Sequence, residues 1–348
     1  MPVTAEPAAA EELNDLSAGP LLPERPLRGH KGTFGRLLVL AGSLDYAGSA
    51  LLVCTAAGRA GAGLVTLAVP ESLQPLFAAK VVEATTLALP EDDLDQVEPE
   101  GALARILDHA HDAIVIGPGL RPGLATVELI RALLGVDEDG TPPAVVDAEA
   151  LRSLAAEDEW WLGVRRPSVL TPHTGEFERL RAASGIAAAT DGDLLGDDAA
   201  RVTAASDAAR RWGQIVVLKG ARTVVAAPDG RLARATFENP AMAAGGTGDV
   251  LSGTIGALLA QHLDPFDAAR LGVFLHGTAG EAVRDRLGDA GLLASDLPFE
   301  IALARKRLTA VRARQIAERK LGFGARPATT GPGGPVTGGP AEPAGSSS

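Results

Sequence analysis

Short, almost uninterrupted runs of branched apolar residues, each separated from the next by a longer stretch rich in Ala and Leu, constrain this chain more than any other feature. The runs are RLLVLAG (36–42), GLVTLAVP (63–70), DAIVIGPG (112–119), AVVDA (144–148), SVLTP (168–172), QIVVLKG (214–220) and RTVVAAP (222–228). A strand that is apolar on both faces must be covered on both faces, as in a parallel sheet packed between helix layers. Helices are predicted between the runs, for example over Gly101–Ala110, Gly123–Leu134, Asp197–Trp212 and Asp267–Leu287. Such alternation predicts a three-layer, doubly wound α/β/α fold with right-handed crossovers. In RTVVAAPDGRLARAT the pair Asp229-Gly230 separates two runs, a hairpin signal, so one edge is expected to be antiparallel.

Composition narrows the partners. Hydrophobic residues make up 46% of the chain but aromatics only 3%, so Ala, Val and Leu fill the core, and 41 glycines suit the close backbone approach this needs. A formal net charge of −12 argues against a nucleic-acid or anionic-membrane surface, and leaves room only for a small anion in a local basic patch. The single cysteine, Cys54, permits no intrachain disulfide and fits a reducing compartment. The acidic opening MPVTAEPAAAEELNDLSAGP lacks the features of a secretory signal. No run approaches the roughly 20 apolar residues that span a bilayer. A soluble, cytoplasmic protein is expected. Residues 1–25 and 324–348 are poor in core-forming residues and are expected to be disordered tails, leaving 26–323 as a single domain.

In an open α/β sheet, ligands bind beyond the carboxyl ends of the strands. The strand exits here are AGSLDYAGSA (41–50), GPGLRPG (117–123), DAEAL (147–151), LTPHTGE (170–176) and LKGART (218–223). All are rich in glycine, small polar residues or chargeable groups. No G-x-x-x-x-G-K-[ST] loop occurs. GRAGAG (58–63) precedes a strand, where a dinucleotide fingerprint would link a strand to a helix, which argues against a Rossmann oxidoreductase.

The stretch NPAMAAGGTGDVLSGTIGALLAQ (239–261) holds the sharpest local signal. Gly245, Gly246, Thr247 and Gly248 precede a helix-spaced apolar segment, and Asp249 sits at its start. Asp249 could simply answer the helix dipole. Alternatively, glycine amides could hold a transferring phosphoryl group while the carboxylate takes a proton from an acceptor hydroxyl. The second option explains why several glycines are used.

AGGTGD (244–249) resembles the signature of the ribokinase-like superfamily. In finer detail the chain resembles the ADP/ATP-dependent NAD(P)H-hydrate dehydratases. The resemblance rests on GHKGTFGRLLVLAGS (29–43), YAGSALL (46–52), GAGLVTLAVP (61–70), IGPGL (116–120), VVDAEAL (145–151), LTPHTGE (170–176), VVLKGARTVV (216–225), the 239–261 stretch and LHGTAGE (275–281). It implies a ribokinase-like fold with a mostly parallel sheet and an antiparallel edge hairpin. It also implies Asp249 as catalytic base, with Gly246, Thr247 and Gly248 as anion hole. Lys219, Gly220, Ala221, Arg222 and Thr223, with Gly248, would bind the nucleotide, ADP or ATP. Gly119 and His173 would contact the hydrated cofactor. The family's substrate turn reads Y-x-G-A, whereas Ser49 follows Tyr46-Ala47-Gly48 here, so Ser49 and Ala50 are both candidate contacts. Glu176 would organise Mg2+ through water, although His173 stands where the superfamily has Asn.

The implied reaction is phosphorylation of the ring hydroxyl of NAD(P)H hydrate, S epimer, followed by loss of phosphate to restore NAD(P)H. The resemblance further implies a homo-oligomer, tetrameric or larger, and a separate epimerase protein as pathway partner; an epimerase activity in this chain itself is not expected. The alternatives are a small-molecule kinase of the same superfamily and an inactive nucleotide sensor. Away from these motifs, Asp147 is expected to cap the next helix more than to shape the site, and Lys219 to face a ligand. Lys31 and Arg36 are equally compatible with phosphate binding and with solvent. His109 and His111 are not expected to bind metal, since no third ligand lies nearby.

Overall fold

The structure, a computed structural model, describes residues 10–93, 96–186 and 194–320. Contacts divide the chain into residues 1–312 and 313–348. The fold below is that of the first unit; in the second, the described residues, 313–320, are helical. The 324–348 tail lies outside the described residues.

Among the described residues, ten strands form one sheet: β1 Glu11–Glu12, β2 Arg36–Leu40, β3 Leu64–Pro70, β4 Thr85–Leu89, β5 Ala113–Ile116, β6 Ala144–Val146, β7 Ser168–Leu170, β8 Ile215–Leu218, β9 Val224–Ala226 and β10 Leu232–Arg234. Their order is β1-β10-β9-β8-β7-β6-β5-β2-β3-β4. All pairs are parallel except those of β9, which runs against both β8 and β10. The expected mostly parallel α/β sheet with an antiparallel hairpin is therefore present, but the edge itself is β1, which pairs outside β10. From β2 the chain winds outward through β3 and β4, then returns to β2's other side as β5.

Consecutive strand residues enter different cores. Leu37, Val39, Val115, Val145, Val169 and Val217 pack on one face with the helix Thr247–Ala260. Leu38, Leu40, Ile116, Val146, Leu170 and Leu218 pack on the other, where Trp160, Trp161, Trp212 and Phe177 gather. This is why the runs show no alternation. Every residue of the helix from Val250 to Ala260 is buried. It lies so close to its neighbour Ala47–Ala60 that a Cβ on Gly253 would sit 2.4 Å from the Val53 carbonyl oxygen.

One expectation is corrected. Disorder through residue 25 does not describe 10–25: Glu11 and Glu12 pair in parallel with Ala233 and Arg234, and Leu13, Ala18 and Leu22 are buried. A short helix, Asp15–Ala18, is capped by Asn14, whose side chain accepts from the amides of Leu16 and Ser17. Those few apolar residues, backed by ion pairs from Glu12 to Arg234 and Asp15 to Arg307, suffice to dock an otherwise polar segment.

Candidate active site

The helix Thr247–Ala260 begins at the rim where the parallel strands end. Gly246 adopts φ +88°, a conformation that favours glycine, and no side chain caps the helix. The first intrahelical bond runs from the Val250 amide to the Gly246 carbonyl, so the amides of Gly248 and Asp249 precede the ladder and point outward. The Thr247 hydroxyl donates to the carbonyls of Met242 and Ala244, 3.0 Å each, and holds the turn.

Two cavities flank this turn. A cleft of about 1220 Å3 is lined by Ser49, Gly119, His173, Glu176, Gly246 and Asp249, among others. A second cavity, about 580 Å3, is lined on the other side by Lys219, Phe237, Met242, Thr247, Gly248 and His276, with Gly220, Ala221 and Thr223. Asp249 thus faces one space while the amide-bearing Gly248 faces the other.

Burial pushes the Asp249 carboxyl up to about 6; the Ser49 hydroxyl, donating to it, and the Lys219 ammonium pull against this, and Asp147 adds to it. Between Ser49 and Ala50, only Ser49 lines the cleft; Ala50 is fully buried in the core. Gly119 has φ +66° and lies against Ser49 and Tyr46, where a Cβ would come within 2.8 Å of each. The His173 ring caps the helix Thr174–Ala183, its Nδ1 accepting from the amides of Gly175 (3.1 Å) and Glu176 (3.4 Å). Those two donors assign the proton to Nε2, which lies 3.5 Å from Glu176 Oε1.

Lys219 joins the two sides. Its Nζ donates to Asp147 Oδ1 at 2.7 Å, lies 3.9 Å from Glu176 Oε2, and would be 3.3 Å from a Cβ on Gly248. Burial disfavours its charge, but Asp147 and Glu176 outweigh burial and hold its pKa above the ordinary lysine value. Glu176 itself is pushed up by burial, against the pull of Lys219.

Asp147 corrects the capping expectation. The helix Glu149–Leu154 has Ala148 at its N-cap and no side-chain cap. Asp147, 1% exposed, turns inward to Lys219 and to the Ser252 hydroxyl at 2.6 Å. The Arg222 guanidinium also differs from expectation. It is turned onto Asp198 and Glu238, so the loop reaches the cavity through Gly220, Ala221 and Thr223 instead. Arg36 pairs with Asp112 through two side-chain bonds at the opposite end of β2, which removes it from phosphate binding. His109 and His111 bond to Thr66 and to the His109 carbonyl respectively.

Three participants escape sequence reasoning. Ser252 follows Asp249 by three helical positions, a signal that was available. His276, quoted in LHGTAGE, makes a 2.9 Å contact to the Thr247 carbonyl through Nε2; burial lowers its pKa to about 4, so it is neutral at pH 7 and donates that hydrogen. Phe237 lines the 580 Å3 cavity and packs against Phe274 with centroids 5.8 Å apart.

Among the described residues no group of three or more His, Cys, Asp or Glu side chains could hold a metal ion. Glu176 has one oxygen engaged by the His173 amide at 3.0 Å, which suits a water-mediated contact to a cation better than direct ligation. No helix among the described residues is long and apolar enough to cross a membrane.

The family model for NAD(P)H-hydrate dehydratase matches residues 37–302. The bifunctional NAD(P)H-hydrate repair enzyme Nnr of Moorella thermoacetica is 42% identical over 283 residues, 79% of this chain and 50% of that protein. The ADP-dependent (S)-NAD(P)H-hydrate dehydratase of Xanthomonas campestris is 34% identical over 278 residues, 78% of this chain and 89% of that protein. An ADP/ATP-dependent NAD(P)H-hydrate dehydratase from Bacillus subtilis, co-crystallised with ATP and Mg2+, superposes with a TM-score of 0.71 at 32% identity, covering 86% of this chain and 99% of that one. The chain spans about half the length of the bifunctional relatives.

Proposed function

Since the chain belongs to the NAD(P)H-hydrate dehydratase family, we propose that it uses ADP or ATP to dehydrate the S epimer of NAD(P)H hydrate back to NAD(P)H. The supporting observation is the placement of Asp249 and Gly248 on opposite faces of one turn, between a cleft and a second cavity.

The nucleotide lies in the 580 Å3 cavity, its base beside Phe237 and its terminal phosphate at the Gly248 and Asp249 amides. The hydrated nicotinamide ring lies in the cleft. Its hydroxyl oxygen attacks the terminal phosphorus while Asp249 accepts the hydroxyl proton, and the shortened nucleotide leaves with the electrons of the broken P–O bond. The carbon–oxygen bond of the new ester then breaks, phosphate departs with that electron pair, and a proton leaves the neighbouring ring carbon to restore the double bond. A hydroxyl that leaves poorly is thereby turned into a phosphate that leaves well.

The shifted Asp249 suits this role. A base with a pKa of about 6 is ionised at pH 7, yet is stronger than an ordinary carboxylate. Lys219, held by Asp147, sets a fixed positive charge beside the glycine amides, where charge develops on the phosphoryl oxygens. Glu176 would hold Mg2+ through water, and the ion would neutralise phosphate charge.

The enzyme acts as a cytoplasmic homo-oligomer, supplied with the S epimer by an epimerase protein. The deciding experiment incubates the full chain with NADH hydrate, Mg2+ and either ADP or ATP. Recovery of the reduced ring's absorbance at about 340 nm, with one phosphate released per ring, is expected. No recovery with either nucleotide would overturn the assignment.

A further inference from the structure

A third cavity, about 610 Å3, lies beyond the carboxyl ends of β2 and β3. It adjoins the cleft, with Leu120 and Pro122 lining both. Its position is telling, because β2 and β5 are neighbours at the point where the winding of the sheet reverses. In doubly wound sheets that is where a crevice opens for ligands.

Three features of the lining point to an anion. Ser43 is 5% exposed, and its hydroxyl is buried without a hydrogen-bond partner among the described residues. A buried hydroxyl left unpaired is unfavourable unless a ligand completes it. The helix Leu124–Leu134 opens at the cavity with Gly123 as its N-cap and no side-chain cap, so its first amides are free to meet negative charge. Arg121 lines the same space and has no ion-pair partner among the described residues. A hydroxyl, unpaired amides and a guanidinium together suit phosphate oxygens. Asp45 and Glu91 also line the cavity. They disfavour a cluster of free phosphates and suit the hydroxyls of a sugar.

We propose that this cavity binds the distal, phosphate-bearing nucleoside half of the dinucleotide, while the reacting ring stays at Asp249. The phosphates sit against Arg121, Ser43 and the amides after Gly123, and the ribose hydroxyls face the carboxylates. This inference rests on the dinucleotide assignment above. It makes Arg121 a determinant of affinity for the half of the substrate that does not react.

The test is an equilibrium titration of the full chain and of Arg121→Ala, followed by the fluorescence of the reduced ring, with NADH and with reduced nicotinamide mononucleotide as ligands. The unsubstituted chain should bind the dinucleotide at least about tenfold tighter than the mononucleotide. Arg121→Ala should weaken the dinucleotide by about tenfold and leave the mononucleotide within about twofold, while Arg121→Lys recovers part of the loss. Arg121 is exposed, so the fold is not at stake. Equal affinity for the two ligands, no dinucleotide binding, or a loss at Arg121→Ala that is absent or shared by both ligands would overturn the inference. The titration requires no turnover, so it decides the cavity independently of the recovery assay that decides the activity.

Discussion

The two cavities that flank Gly246–Asp249 have opposite characters. In the 580 Å3 cavity, proposed above for the nucleotide, Phe237, Met242, Val273 and Leu251 make an apolar wall, and the chargeable groups are Lys219, His276 and Glu238. On the cleft side the wall carries Glu149, Arg152, Glu176, Asp158 and Asp249. The same helix start serves both. Under the proposed function the difference would separate the work: one side would hold a flat base and its phosphates, the other would manage a proton. Their functions should therefore be separable by substitution, with Lys219 as the shared element.

The most severe test of that separation is Asp249→Asn. Loss of the base should lower kcat by about a thousandfold while ADP affinity, measured calorimetrically, stays within about twofold. A parallel loss of ADP binding would show that the two sides are not independent. Next in size is pH. With Asp249 near 6, kcat/KM should fall about tenfold per pH unit below that value and level off above it.

The same carboxyl has a consequence for stability. Its folded pKa of about 6 exceeds its ordinary 3.8, so between those values the native chain holds a proton that the unfolded chain has released. Stability therefore falls as pH rises through this window. Asp249→Asn should be more stable than its parent by about 1–3 kcal/mol near pH 8, with the gain vanishing near pH 4, as read by thermal unfolding.

Smaller effects should be confined to the other side. Phe237→Ala should raise KM for the nucleotide about fivefold and leave KM for the hydrate unchanged. Smallest of all, Arg222→Ala should alter nucleotide affinity by less than about twofold, because its guanidinium belongs to Asp198 and Glu238. A large effect there would mean that Arg222 swings into the cavity when nucleotide binds.

The fold was legible wherever burial on both faces forced unbroken apolar runs, as in AIVI of β5 and IVVL of β8. It was not legible in β4, TTLAL, whose partial exposure breaks the run, nor in β1, whose two glutamates form a strand because Leu13 beside them is buried. In the site, the glycine turn and Asp249 could be read locally because a helix start imposes its own chemistry. Asp147 could not. A carboxylate at a strand exit can cap forward or turn inward, and the choice is made by Lys219, 72 residues away, and Ser252, 105 residues away. Arg222 shows the same limit in reverse: its motif position was informative, but two carboxylates outside the motif decide where its charge goes.

The division of the sheet into two cores has a practical corollary. The chain's three tryptophans, Trp160, Trp161 and Trp212, all lie in the core opposite the helix that bears Asp249. Intrinsic emission is thus a one-sided gauge. It registers loosening of the layer around Phe177 and Trp212, and is nearly silent about disorder in the layer that carries Asp249.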